Sequence, residues 1–202
     1  MKAYSIYVWL MIIIICSFIG WIIENLWIML RFGCFDNRNM FLPFLLGYGM
    51  AVFLISTTLG TPENYPDFIY GIKVFIFVSI AELLLGYSFE FMCGFRYWDY
   101  SALPLHFTCY TSLFTSMGFS MLITGFMRLC FKPLVSLLCR YESAIKYISV
   151  LGIVILAFDF LLSFHSMRIH RSYNKRWEIY LKKSNKSENA VLKHIEALHN
   201  MF

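Results

Sequence analysis

Charge is what this sequence lacks. Only 14% of its 202 residues are Asp, Glu, Lys or Arg, against about a quarter in ordinary globular domains, while 59% are apolar. That balance departs from any soluble class and selects an integral membrane protein. The Gly-x-x-x-x-Gly-Lys-Ser/Thr phosphate loop is missing too, so ATP hydrolysis would need another chain, and the sequence is not read as an enzyme. Paired cysteine motifs are also lacking. Cys16, Cys34, Cys93, Cys109, Cys130 and Cys139 form no Cys-x-x-Cys and no metal-finger spacing, and they read as small apolar fillers; no cofactor is implied.

What is present is a series of long apolar runs. Segments 4–30, 43–60, 68–92, 107–128 and 145–166 each approach or exceed the roughly 20 helical residues that cross a bilayer core. Between them, 31–42, 61–67, 93–106 and 129–144 carry charges, Pro or Gly that would be costly in hydrocarbon. The expected fold is therefore all-α, a polytopic bundle of about five transmembrane helices within residues 1–166. The run after Lys2 is long and no small-x-small cleavage site follows it, so it is expected to be a retained helix and not a signal peptide.

Residues 167–202 hold eight Lys/Arg and three Asp/Glu, so this basic tail alone supplies the net charge of +5. By the positive-inside rule the C terminus is expected in the cytoplasm and the N terminus outside a plasma membrane. Arg168, Arg171, Lys175 and Arg176 are expected to extend the last helix as a juxtamembrane cluster drawn to anionic headgroups, which makes the lipid bilayer, not nucleic acid, the partner. Ser187 can cap a final amphipathic helix with Val191, Ile195, Leu198 and Phe202 on one face.

Within the apolar runs one pattern occurs twice. Gly20-Trp21-Ile22-Ile23-Glu24 and Gly86-Tyr87-Ser88-Phe89-Glu90 both read Gly, aromatic, two spacers, Glu, and the second lies 66 positions after the first. A carboxylate in such a segment costs roughly 2.5 to 3.5 kcal/mol on insertion scales, so its recurrence in one local frame demands a reason. Each copy leads on to an aromatic-Asp pair, Phe35-Asp36 before Asn37-Arg38 and Trp98-Asp99 before Tyr100. Two spans per unit give both copies the same orientation, a parallel duplication that sets Glu24 and Glu90 at similar depth near one face.

Glu82 stands deeper, and Glu82, Gly86 and Glu90 recur every four residues on one helical face. With no Lys or Arg nearby in sequence, Glu82 is expected to be neutral, hydrogen-bonded, or paired with a transported cation or proton. Thr108, Ser112, Ser116, Ser120 and Thr124 follow the same spacing, forming a hydroxyl stripe that either packs helices closely or lines a polar pathway beside Glu82. Asp159 reads as a helix-helix hydrogen bonder, and the tryptophans fit interface belts.

These residues carry a family resemblance. Phe18 to Glu24, Asn37-Arg38, and Glu82 to Glu90 followed by Tyr97-Trp98-Asp99-Tyr100-Ser101 resemble the CmpB-type family of small bacterial multi-pass proteins grouped with ABC-transporter permeases. The likeness spans roughly Tyr4 to Pro133. This chain departs from the family pattern at Asn39-Met40-Phe41, where a Gly-rich turn is usual, and at Leu105-His106-Phe107, where an Asn-Gly-Arg element is usual. The resemblance implies a transport component, with a separate ATPase subunit or a second copy of the chain as partner.

The residues themselves lead to a compatible expectation. Glu24, Glu82, Glu90, Ser112, Ser116 and Ser120 would line a substrate or ion pathway, and Asp36, Asn37, Arg38, Arg96, Trp98 and Asp99 its cytoplasmic mouth. Two alternatives are a membrane-embedded enzyme acting on lipid or headgroup phosphate, with acids, Asn37 and His106 holding a divalent ion, and a non-transporting scaffold or regulator that docks through its tail.

Overall fold

The computed structural model describes residues 4–173 and 176–180. Helices α1 (Ile6–Phe32), α3 (Asp67–Cys93) and α6 (Glu142–His170) are long and apolar enough to cross a membrane. They run the same way: Lys146 near the start of α6 lies over the ring of Tyr7 near the start of α1, and Phe89 and Phe164 meet near the ends of α3 and α6. Between them lie α2 (Leu46–Thr58), α4 (Leu113–Leu129) and α5 (Phe131–Arg140). A single 3-10 turn (Pro62–Asn64) and four short strands complete the described elements: β1 (Cys34–Asp36) pairs antiparallel with β4 (Glu178–Tyr180), and β2 (His106–Thr108) with β3 (Thr111–Ser112).

Three segments differ from the sequence expectation, and among the described residues the count of full-length apolar spans is three, or four if the α4–α5 pair, bent by 49°, is one span. Segment 43–60 was expected to cross the bilayer, yet its helix α2 has 13 residues, about 20 Å of rise, because residues 43–45 stay outside the helix. The loop expected at 129–144 is largely helical as α5. Phe131, Val135 and Leu138 give it a buried face, and Pro133 falls in the first turn, where its missing N–H is not needed. In segment 107–128 the chain first forms the β2–β3 hairpin, and α4 begins only at Leu113, where Ser112 and Thr115 form a reciprocal capping box.

The helix α2 packs antiparallel on α1 over the stretch from Trp9 to Glu24. Trp9 meets Phe53 with ring centroids 5.2 Å apart, and Leu45 N–H donates to the Ser17 carbonyl in mid-helix at 3.0 Å. Residues 33–45 consequently lie beside the second half of α1 as non-helical backbone. The buried apolar core sits at the other end, where Val8 and Ile12 of α1, Ile55 of α2, Val74 of α3, Met127 of α4 and Phe131 of α5 converge. Ion pairs border that end, Arg128 with Asp67 at 2.6 Å and Lys132 with Glu63 at 3.0 Å.

Of the expected basic cluster, the last helix takes in Arg168 alone among the described residues. Arg171 adopts a left-handed conformation (φ 49°) that stops α6, and the chain turns back so that β4 can pair with the edge of β1. Lys175 and the helix expected after Ser187 lie outside the described residues.

Close approach of α1 and α2 depends on Gly49. A Cβ there would overlap the Ile13 carbonyl and the Ser17 hydroxyl, whereas one on Gly47 would meet nothing within 4 Å. Gly49→Ala is therefore expected to destabilise the protein by about 1–3 kcal/mol, and Gly47→Ala to be nearly neutral, in thermal unfolding of the detergent-solubilised chain.

Candidate functional site

Both copies of the Gly-aromatic-x-x-Glu pattern close on a tyrosine. In the first, Gly20 leaves room on α1 for the Tyr48 ring, which a Cβ would overlap, and the Tyr48 hydroxyl donates to Glu24 Oε1 at 2.5 Å. Arg38 reaches the other oxygen, Nη2 to Oε2 at 3.4 Å, and faces Asp36 at 3.8 Å. In the second, Gly86 of α3 makes the same room for the Tyr110 ring, and the Tyr110 hydroxyl donates to Glu90 Oε2. Arg96 bridges Glu90 at 3.2 Å and Asp99 at 2.7 Å. Even the aromatic-Asp turns agree: Asp36 accepts from the Arg38 N–H and Asp99 from the Ser101 N–H, both at 2.8 Å.

The two clamps differ in access. Side chains of Arg38 and Glu24 are 10% and 20% exposed, those of Arg96 and Glu90 46% and 39%. The first is covered because loop 36–40 is buried and because the chain beyond α6 returns over it. Tyr97 donates its hydroxyl to the Arg38 carbonyl at 3.0 Å and packs on Tyr173, while the Arg176 N–H donates to Asn37 Oδ1 at 3.2 Å.

The profile of the family described as "Putative ABC-transporter type IV" (CmpB) matches residues 11–164. The chain belongs to this family. No curated protein matches it, and no solved structure does. The matched region runs from the first turns of α1 to near the end of α6, so both clamps of this CmpB-family protein lie inside it.

Glu82 lies 11 residues before the end of α3 and accepts a hydrogen bond from Ser116 of α4 at 2.5 Å. Among the described residues no cation pairs with it. Glu24 and Tyr100 are both within electrostatic reach of Glu82. Of the expected hydroxyl stripe, Ser116 alone meets a carboxylate. Ser112 is spent capping α4, Ser120 bonds the Met117 carbonyl of its own helix, and Thr108 lies in β2, so the stripe is no continuous line along one helix. Trp98 braces the second clamp by donating its indole N–H to the Tyr110 carbonyl at 3.0 Å.

The divalent-ion grouping does not assemble. Asp36 and Asn37 are buried in one loop, Asp99 is engaged by Arg96 in the other, and exposed His106 contacts the Leu103 carbonyl; among the described residues no three His, Cys, Asp or Glu form a metal-ligating group. Asp159 is a hydrogen bonder, as expected, but its partners are loop amides, Phe41 at 2.9 Å and Leu42 at 3.4 Å, not another helix.

Sequence reasoning missed Tyr48, Tyr110 and Asn25, whose side-chain oxygen accepts from the Asp36 N–H at 3.0 Å. A signal for the tyrosines existed: Tyr48 follows Asp36 by 12 residues and Tyr110 follows Asp99 by 11. Extending the repeat past the aromatic-Asp pair would have found both.

Tyr48→Phe removes a hydrogen bond to a largely buried carboxylate and is expected to cost about 1.5–3 kcal/mol in thermal unfolding, with a smaller loss for Tyr110→Phe at the open clamp. Asp99 titrates in the loop outside the spans. Burial alone would raise its carboxyl, but the Ser101 hydrogen bonds and the Arg96 guanidinium outweigh this and hold it below the usual range. A depressed folded-state value stabilises above the unfolded value of about 3.9 and ceases to do so as pH falls through the folded one. The stability deficit of Asp99→Asn relative to wild type is thus expected to be full at pH 7 and to shrink below about pH 4, measured as midpoint against pH.

Proposed function

We propose that this chain is the membrane-spanning component of a transporter, built on a parallel duplication of a two-helix unit around a carboxylate site and driven by a separate ATPase. Family membership supports a transporter-type role. The duplication is supported by the two clamps, in which Gly, Glu, Tyr, Arg and Asp hold the same roles at the C-terminal ends of two helices of 27 residues. The observation that carries the reading is Glu82, a carboxylate deep in an apolar helix whose described polar contact is one serine hydroxyl. An acid kept there without a fixed countercharge suits a cation or a proton that comes and goes, since a permanent structural role would be served at lower cost by a neutral side chain.

In this reading Glu24, Glu82 and Glu90 form the pathway, with Ser116 as the hydroxyl that holds Glu82 in place. Asp36, Asn37, Arg38, Arg96, Trp98 and Asp99 form its mouth. The described basic residues Arg168, Arg171 and Arg176 lie at the same end, which by the positive-inside rule supports a cytoplasmic side there, where an ATPase would dock. Three or four spans enclose little space, so a second copy of the chain would complete the pathway.

The test is uptake and efflux in proteoliposomes with the cognate ATPase. Glu82→Gln is expected to lower the transport rate at least tenfold, and Glu90→Gln to lower it less, with both variants retaining wild-type thermal midpoints within a few degrees; unchanged transport in both would sink the reading.

A further inference from the structure

The two clamps carry the same chemistry, yet the sealed one is paired less completely. In the open clamp Arg96 Nε donates to Glu90 Oε1 at 3.2 Å, and Asp99 Oδ2 accepts from Arg96 Nη1 at 2.7 Å. The corresponding atoms of the sealed clamp, Arg38 Nε and Asp36 Oδ2, are buried and make no hydrogen bond among the described residues. Arg38 Nη1 stands 3.8 Å from Asp36 Oδ2, too far for one. A buried polar group without a partner costs stability, so the covered state of this clamp carries a penalty that contact with water would relieve.

What covers the clamp is lightly attached. Beyond the left-handed Arg171, residues 176–180 return over the loop, and β4 pairs with β1 through three residues: Cys34 opposite Tyr180, Phe35 opposite Ile179 and Asp36 opposite Glu178. The Arg176 N–H donates to Asn37, its guanidinium lies over the Phe41 ring, and Trp177 meets Trp21 with ring centroids 6.4 Å apart. None of these five residues is buried, and Trp177, Ile179 and Tyr180 are 41%, 57% and 54% exposed. A short ladder with no buried apolar side chain belongs to the low-stability end of a fold, where local opening costs far less than global unfolding.

We propose that β4 is a displaceable strap over the first clamp. Closed, it seals Asp36 and Arg38; lifted, it opens them to water, as Arg96 of the second clamp already is. As regulation of the pathway mouth this rests on the transport reading, whereas the movement itself belongs to the chain and is measured without transport.

The test is hydrogen exchange, read by mass spectrometry, on the full chain in detergent. Residues directly opposite on antiparallel strands have Cα atoms roughly 4.5–5.5 Å apart, within disulfide reach, so Tyr180→Cys can be joined to the native Cys34 and the strap locked. Oxidised Tyr180→Cys is expected to exchange the amides of residues 35–40 at least tenfold more slowly than the same variant reduced. Arg176→Pro, which removes the N–H that Asn37 accepts, is expected to speed them about fivefold, the worth of one hydrogen bond. The Tyr100 and Ser101 amides beside the open clamp should change in neither case. Equal exchange in the oxidised and reduced variant would show a strand that does not lift, and unchanged exchange in Arg176→Pro a strand that does not cover the clamp. Either result overturns the proposal, as does an equal change at Tyr100 and Ser101. Failure of the transport reading would leave all three measurements as expected.

Discussion

Non-helical backbone beside a membrane helix must find every hydrogen bond within the protein, and the segment between α1 and α2 is organised by that constraint. Its amides and carbonyls are satisfied from several directions. Asn25 accepts from Asp36, Asp159 from Phe41 and Leu42, Ser17 from Leu45, and Tyr97 donates to Arg38. Asn37 closes the turn by donating to the Met40 carbonyl and accepts from the Arg176 N–H. The polar run Asp36-Asn37-Arg38-Asn39 is thus buried because it is internally paired, and α2 is short because the chain spends residues 33–45 running back along α1.

The carboxylate clamps follow from the same economy. A Glu near the end of an apolar helix requires a donor, and in both units a tyrosine from the following segment supplies it, admitted by a glycine four residues earlier on the helix. An arginine from the connecting loop then neutralises the charge. Similar chemistry in two settings yields a sealed clamp and an open one, because only the first is roofed by Tyr97, Tyr173 and the return strand. Glu82 shares with both a hydroxyl donor, Ser116, and differs in meeting no guanidinium among the described residues.

Much of this was legible along the chain, and the failures have identifiable causes. Glu24, Glu90 and their aromatic-Asp turns were visible because the repeat is local and the cost of a carboxylate in an apolar run is high. The length of α2 was not, because residues 43–45 are as apolar as a helix but stay outside it, with the Leu45 N–H turned to the Ser17 carbonyl. Hydrophobicity alone cannot distinguish a span from a segment folded back on its neighbour. The hydroxyl stripe misled for a related reason: a spacing of four implies one face only if the helix is continuous, and the β2–β3 hairpin and the Ser112 cap interrupt it.

Composition and short-range pattern therefore determined the membrane class, the long helices α1, α3 and α6, and the recurring carboxylates, since each depends on the transfer energy of residues close in sequence. The tertiary structure alone decided the partners. Tyr48 lies 24 residues from Glu24, Asp159 lies 118 from Phe41 and Arg176 lies 139 from Asn37, distances at which no periodicity connects one side chain to another. Those pairings arise only when buried polar groups must find each other where water is absent.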